Sequence, residues 1–137
     1  MKKFMMLAAV AVIGLSACKK ETPDTQAPII TVTQPANDHI DKEPGETINI
    51  RALITDDTEL LSAKIDIHEA GGHSHRVSGE GEWEWAKVYT ISGTSFNLSE
   101  DIVIPADAEH GDYHITIEAT DAAGNAATPV VIELHID

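Results

Sequence analysis

Cysteine, basic residues and long apolar runs are all scarce in this chain, and each shortage closes off a class of function. Cys18 is the single cysteine among 137 residues. Lys and Arg number 9 against 23 Asp and Glu, a net charge of −14, and such a surface repels nucleic acid and anionic lipid while concentrating cations. The one long apolar run, from Phe4 to Leu15, is too short to cross a bilayer as a mature helix. Catalytic signatures are missing too: there is no HExxH and no phosphate-binding glycine loop. Ser74 sits between His73 and His75, but a nucleophilic serine needs an ordered base and a group to orient that base, and nothing nearby supplies them. No internal repeat and no helix-period segment of useful length is visible. The expectation is a binding protein, not an enzyme.

What is there begins with MKKFMMLAAVAVIGLSACKK. Lys2 and Lys3 form a basic start, an apolar stretch follows, and small residues lead to a cysteine, the layout of a secretory signal. Leu15-Ser16-Ala17-Cys18 resembles the lipobox of bacterial lipoproteins. That resemblance implies a signal peptide over 1–17, and Cys18 acylated as the first mature residue, with no free thiol left for a disulfide, a metal or catalysis. Two or more acyl chains give stable anchoring where one gives only marginal binding. Lys19, not the aspartate that retains such lipoproteins at the inner membrane, follows the cysteine, which implies the outer membrane, facing the periplasm or the cell surface. Loss of Lys2 and Lys3 leaves a mature charge of 7 − 23 = −16. Residues 18–27 then read as a polar tether, reaching at most about 33–36 Å to Pro28 when extended.

From 28 to 137 the chain is long enough for one domain with a single core. Apolar residues alternate with polar ones, the period of half-buried strands. Strands are expected over 29–35, 47–55, 60–69, 112–120 and 129–137, with one or two more from 83–91 and 95–105. The inward residues would be Ile48, Ile50, Ala52 and Ile54; Leu61, Ala63, Ile65 and Ile67; Tyr113, Ile115, Ile117 and Ala119; and Val130, Ile132, Leu134 and Ile136. About seven short strands between Gly, Pro, Asp and Asn turns predict an all-β, antiparallel sandwich.

"EHGDYHI" (109–115) resembles the tyrosine corner of immunoglobulin-type domains, with Gly111 before Tyr113 and Ile115 where antibody domains carry a cysteine. Glu109 replaces the usual aspartate, and the third strand lacks the usual tryptophan. Asp24, Ala27, Pro28 and Ile30, with Asp121, Ala123, Gly124 and Asn125, match the D-x-x-A-P-x-I opening and D-x-A-G-N ending of bacterial Ig-like modules. The chain resembles small Gram-negative lipoproteins with one such domain and a His-x-His after the third strand. The resemblance implies a fold and an address, not an activity.

Seven histidines, three of them in "HEAGGHSHR" (68–76), are the most distinctive chemistry. In an Ig-like sandwich all seven fall at one end: His39 in the loop after the first strand, His68, His73, His75, His110, His114 and His135. His68, His114 and His135 alternate against inward residues and so point outward from three strands that are neighbours in this fold. If the last hairpin pairs 120 with 129, His114 stands opposite His135, at a Cβ separation of about 4.5–5.5 Å. Such imidazoles can share an ion, with His73 or His75 as a further ligand or lid, and Glu69, Glu109 and Asp137 as nearby carboxylates. Nitrogen ligands suit Zn²⁺, Cu²⁺ or Ni²⁺ better than Ca²⁺ or Mg²⁺. Solvated polar residues on an outer sheet face would give the same pattern.

Two other sets compete. Trp83 and Trp85 share one face of a strand, so an exposed pair would stack on a sugar ring and make an adhesion or glycan-binding module; buried, they would cap the core. Asp56, Asp57, Glu59 and Asp121 gather at the opposite end, where loop carboxylates of cadherin-like modules hold Ca²⁺, although Asp and Asn in turns also bond their own backbone. The favoured expectation is an outer-membrane, lipid-anchored Ig-like domain binding zinc or copper, with an envelope protein as a possible partner and no nucleic acid.

Overall fold

A computed structural model describes residues 21–71 and 83–137. Among them are eight strands and no helix: β1 (Ile29–Gln34), β2 (His39–Lys42), β3 (Thr47–Thr55), β4 (Leu60–Glu69), β5 (Trp85–Thr90), β6 (Ser95–Val103), β7 (Gly111–Asp121) and β8 (Val130–Ile136). Two sheets form, in the orders β1-β3-β6 and β2-β8-β7-β4-β5. All pairings are antiparallel except that of β2 with β8. The domain is an Ig-like β-sandwich.

The alternation read from the sequence is what closes it. Ile48, Ile50, Ala52 and Ile54 of β3 are buried and meet the buried Ala63, Ile65 and Ile67 of β4, Tyr113, Ile115, Ile117 and Ala119 of β7, and Ile132, Leu134 and Ile136 of β8. These aliphatic side chains stand perpendicular to their sheets and interdigitate across the roughly 10 Å gap of a sandwich. At β4 the expected facing is corrected at one residue. Leu60 is buried and Leu61 is half exposed, because the pairing with β7 shifts between Leu60 and Ser62. One extra residue at such a bulge reverses the facing locally.

β2 is a second departure. The segment expected to be a loop carries a four-residue strand whose Ile40 packs on the core. It lies along β8 and covers what would be an open sheet edge. The Tyr113 hydroxyl donates to the Glu109 carbonyl at 3.0 Å, so the tyrosine corner is present with glutamate in place of aspartate.

Candidate functional site at the histidine end

β4, β7 and β8 are adjacent, so their outer-face residues form rows across three strands. His68 and His114 are direct cross-strand partners, with ring centroids 5.9 Å apart and planes at 88°. The expected partnership of His114 with His135 is corrected: His114 stands opposite Glu133, and His135 opposite Asp112. The reason is the turn before β8. Asp121 accepts from the Asn125 backbone N–H and side-chain amide, both at 2.7 Å, and Gly124 takes a positive φ of 94°. The chain therefore reverses over 121–125, tighter than a loop running to 128, and β8 slides by two residues. An even slide keeps every side chain on its face, so His135 still points outward.

Two histidines of the row, His68 and His135, have a carboxylate behind them. The Nδ1 of His68 bonds Asp66 Oδ2 at 2.8 Å, and Lys64 Nζ holds the other Asp66 oxygen at 3.0 Å. Partial burial pushes the Asp66 carboxyl up, but hydrogen bonds from Lys64 and His68 outweigh it and hold the group below its ordinary range. With Nδ1 occupied, His68 is left to present Nε2. His135 is bound on both sides, Nδ1 to Asp112 at 2.6 Å and Nε2 to Asp137 at 3.2 Å. The Asp112 hydrogen bond in particular raises the His135 pKa above its ordinary value. Asp112→Asn is therefore expected to bring the midpoint of His135 down toward the free-imidazole range near pH 6.5, read by NMR titration of the ring protons.

His39 lies on β2 and not in a loop after the first strand. It contacts Asp41 at 3.2 Å and Glu133 at 3.5 Å. With His114, Asp112 and Glu133 it lines a recess of about 230 Å³ at the end of β7 and β8. His110 is exposed just before β7. The five described histidines do share one end; His73 and His75 lie outside the described residues. His68, His114 and His135 do not bring their ring nitrogens within 4.8 Å of one another as a set of three. What the structure supplies is a His68–His114 pair with His135 on its flank.

The tryptophans are not an exposed platform. Trp83 is 8% exposed and packs 6.0 Å from the Tyr113 ring, and Trp85 is half-buried against the core.

A family model described as a domain of unknown function, DUF4625, matches residues 16–137. No curated protein matches the chain in sequence. Among solved structures the chain is similar to fibronectin(III)-like modules of Clostridium thermocellum CbhA, at 16% identity and a TM-score of 0.48 over 81% of this chain and 47% of that one. It is also similar to the SrpA adhesin from Streptococcus sanguinis, at 20% identity and 0.45 over 83% and 57%. Spo0M, a sporulation control protein from Bacillus subtilis, gives 8% and 0.47 over 81% and 49%. The chain spans about half the length of these solved chains.

Proposed function

The chain belongs to the DUF4625 family, whose description carries no activity, and we propose that it is an envelope lipoprotein whose Ig-like domain binds a transition-metal ion, zinc or copper, at the His68–His114 pair. Its role would be capture, delivery or sensing for a protein partner in the envelope, without catalysis. The observation that carries the reading is the direct opposition of His68 and His114 on the outer face of β4 and β7, with Asp66 fixing the His68 ring. A carboxylate on the far nitrogen is the usual arrangement behind a metal-bound imidazole, because it sets the tautomer and raises ligand basicity. Two rings about 5.9 Å apart by centroid need only rotate to place one nitrogen each near the 2.0–2.1 Å that zinc requires.

Zinc and copper hold more than two ligands, so water, Glu133 beside His114, or His73 and His75 would complete the shell. His135 is the weaker candidate. Its salt links to Asp112 and Asp137 favour the protonated ring, and a protonated imidazole is no ligand. Positions filled by water leave an ion open to exchange, which suits handing it on. The −14 charge of the chain adds to this by raising the local cation concentration.

Calorimetric titration with Zn²⁺, Cu²⁺ and Ni²⁺ tests the site. His68→Ala and His114→Ala are each expected to weaken binding at least about tenfold, the loss of one nitrogen ligand being worth upwards of 1.4 kcal/mol. His135→Ala should weaken it less than about threefold. No binding of any of the three metals, or equal affinity in His114→Ala, would remove the proposal.

A further inference from the structure

At the opposite end of the sandwich, Asp24, Asp56 and Asp57 each offer a carboxylate oxygen, and these atoms all lie within 4.8 Å of one another. They come from two places. Asp56 and Asp57 occupy the short connection between β3 and β4, and Asp24 precedes β1 in the segment leading into the domain. None of the ion pairs among the described residues involves any of the three.

Proximity of acidic groups alone means little. The second observation is Asp56 itself, which is only 9% exposed. Its Oδ1 accepts from the backbone N–H groups of Thr58 and Glu59 at 3.0 and 2.9 Å. Its Oδ2 is buried and has no hydrogen-bond partner. A carboxylate oxygen taken out of water without a partner is costly, and native structures seldom leave one so. Asp121, the other buried carboxylate among the described residues, makes the contrast plain. Asn125 satisfies both of its oxygens.

The neighbours repeat the pattern. Asp24 Oδ1 accepts from the Gln26 backbone N–H at 3.0 Å, and Asp57 Oδ2 accepts from the Gln26 side-chain amide at 2.7 Å. Each of the three carboxylates thus keeps one oxygen for another partner. Asn125 also donates to the Asp24 carbonyl at 3.3 Å, so the buried Asp121 holds Asp24 in place through it.

We propose that Asp24, Asp56 and Asp57 form a Ca²⁺ site that fastens the incoming segment to the β3–β4 connection. Ca²⁺ takes six to eight oxygen ligands at about 2.3–2.6 Å, so two ligands on one ion lie no more than about 5 Å apart, as these do. An all-oxygen set of this charge favours Ca²⁺ over the nitrogen-seeking metals, and water fills the remaining positions. The ion gives Asp56 Oδ2 its missing partner and relieves the repulsion among three negative groups. It also sets where the tether leaves the domain, at the end remote from the histidines.

The test is thermal melting of the full-length protein in detergent, stripped with EGTA and then given about 1 mM Ca²⁺, the affinity range of extracellular modules. The midpoint is expected to rise by about 5 °C, with a much smaller rise in equal Mg²⁺. Asp57→Asn, at an exposed position, should cut Ca²⁺ affinity at least about tenfold without harm to the fold. Asp56→Asn keeps an oxygen for Thr58 and Glu59 and turns the free one into a donor facing two carboxylates. It should therefore melt higher than the native protein in EGTA and lose its response to Ca²⁺. The double variant His68→Ala with His114→Ala should respond as the native protein does. A native melt that ignores Ca²⁺ overturns the site, as does an unchanged response in both aspartate variants, or loss of the response in the histidine variant.

Discussion

Cys18→Ser is expected to move the protein from the membrane to the soluble fraction almost completely. The argument is one of additive transfer free energies. Each buried acyl CH₂ contributes about 0.8 kcal/mol, so a single chain holds a protein at a membrane only marginally, and two or more hold it firmly. If Cys18 is acylated as proposed, serine in place of the thiol removes every chain at once. No helix among the described residues is long and apolar enough to cross a membrane, and the excess of acid over base works against anionic lipid. The ratio of membrane-bound to free protein should change by more than about 100-fold, read by sedimentation of membranes after a high-salt wash. Variant protein that still sediments with the outer membrane would contradict the anchor.

Why the fold was legible in the sequence follows from β3 and β7. Their alternation has no interruptions, and in a sandwich the period of two decides by itself which residues face the core. The departures are where alternation is interrupted or too short to register. Leu60 and Leu61 are equally apolar, so only the bulge in the β4–β7 ladder selects the buried one. β2 contributes one buried-side isoleucine among His39, Asp41 and Lys42, and four polar-rich residues carry no usable period. Its pairing energy comes from β8, which lies far away in the chain and which local pattern cannot see.

The sites were half legible for a related reason. Gathering the five described histidines at one end needs only topology, and that was readable. Pairing them needs the register, which Asp121 and Asn125 set by closing their turn on themselves. The same two residues explain the change at the acidic end. Asp121 looked like a ligand beside Asp56 and Asp57, but its oxygens are spent on Asn125. Burial works to raise its pKa, and the hydrogen bonds from Asn125, Gly124 and Ala123 bring it below the ordinary range. Asp24, read as part of a tether, takes its place instead through a contact 101 residues away in sequence. A side chain's chemistry is visible in its letter; whether that chemistry is already satisfied is decided by neighbours remote in the chain.

Metal affinity at the histidine end is expected to fall about 100-fold between pH 7.5 and 5.5. A ligating imidazole must be neutral, and a free imidazole with a pKa of about 6.5 loses about tenfold of its neutral form across that interval. Two such ligands give about 100-fold, or about 2.7 kcal/mol, and His135 as a third, with its raised pKa, would take the fall beyond about 1,000-fold. The slope of log affinity against pH at the acid end therefore counts the histidines: two for the His68–His114 pair, three if His135 joins them. His135→Ala should leave a slope of two unchanged. Stability separates the effects by sign. Bound metal stabilises the native state alone, so the melting temperature with metal should drop as pH falls. The His135–Asp112 pair acts the other way without metal. Its folded pKa is raised, so its contribution is full below the unfolded pKa near 6.5 and is lost as pH rises through the folded value. Melting curves with zinc and with EGTA across pH 5.5 to 8 should thus converge at the acid end and separate toward the basic end. Curves that stay parallel across that range would mean that no histidine of this end holds the ion.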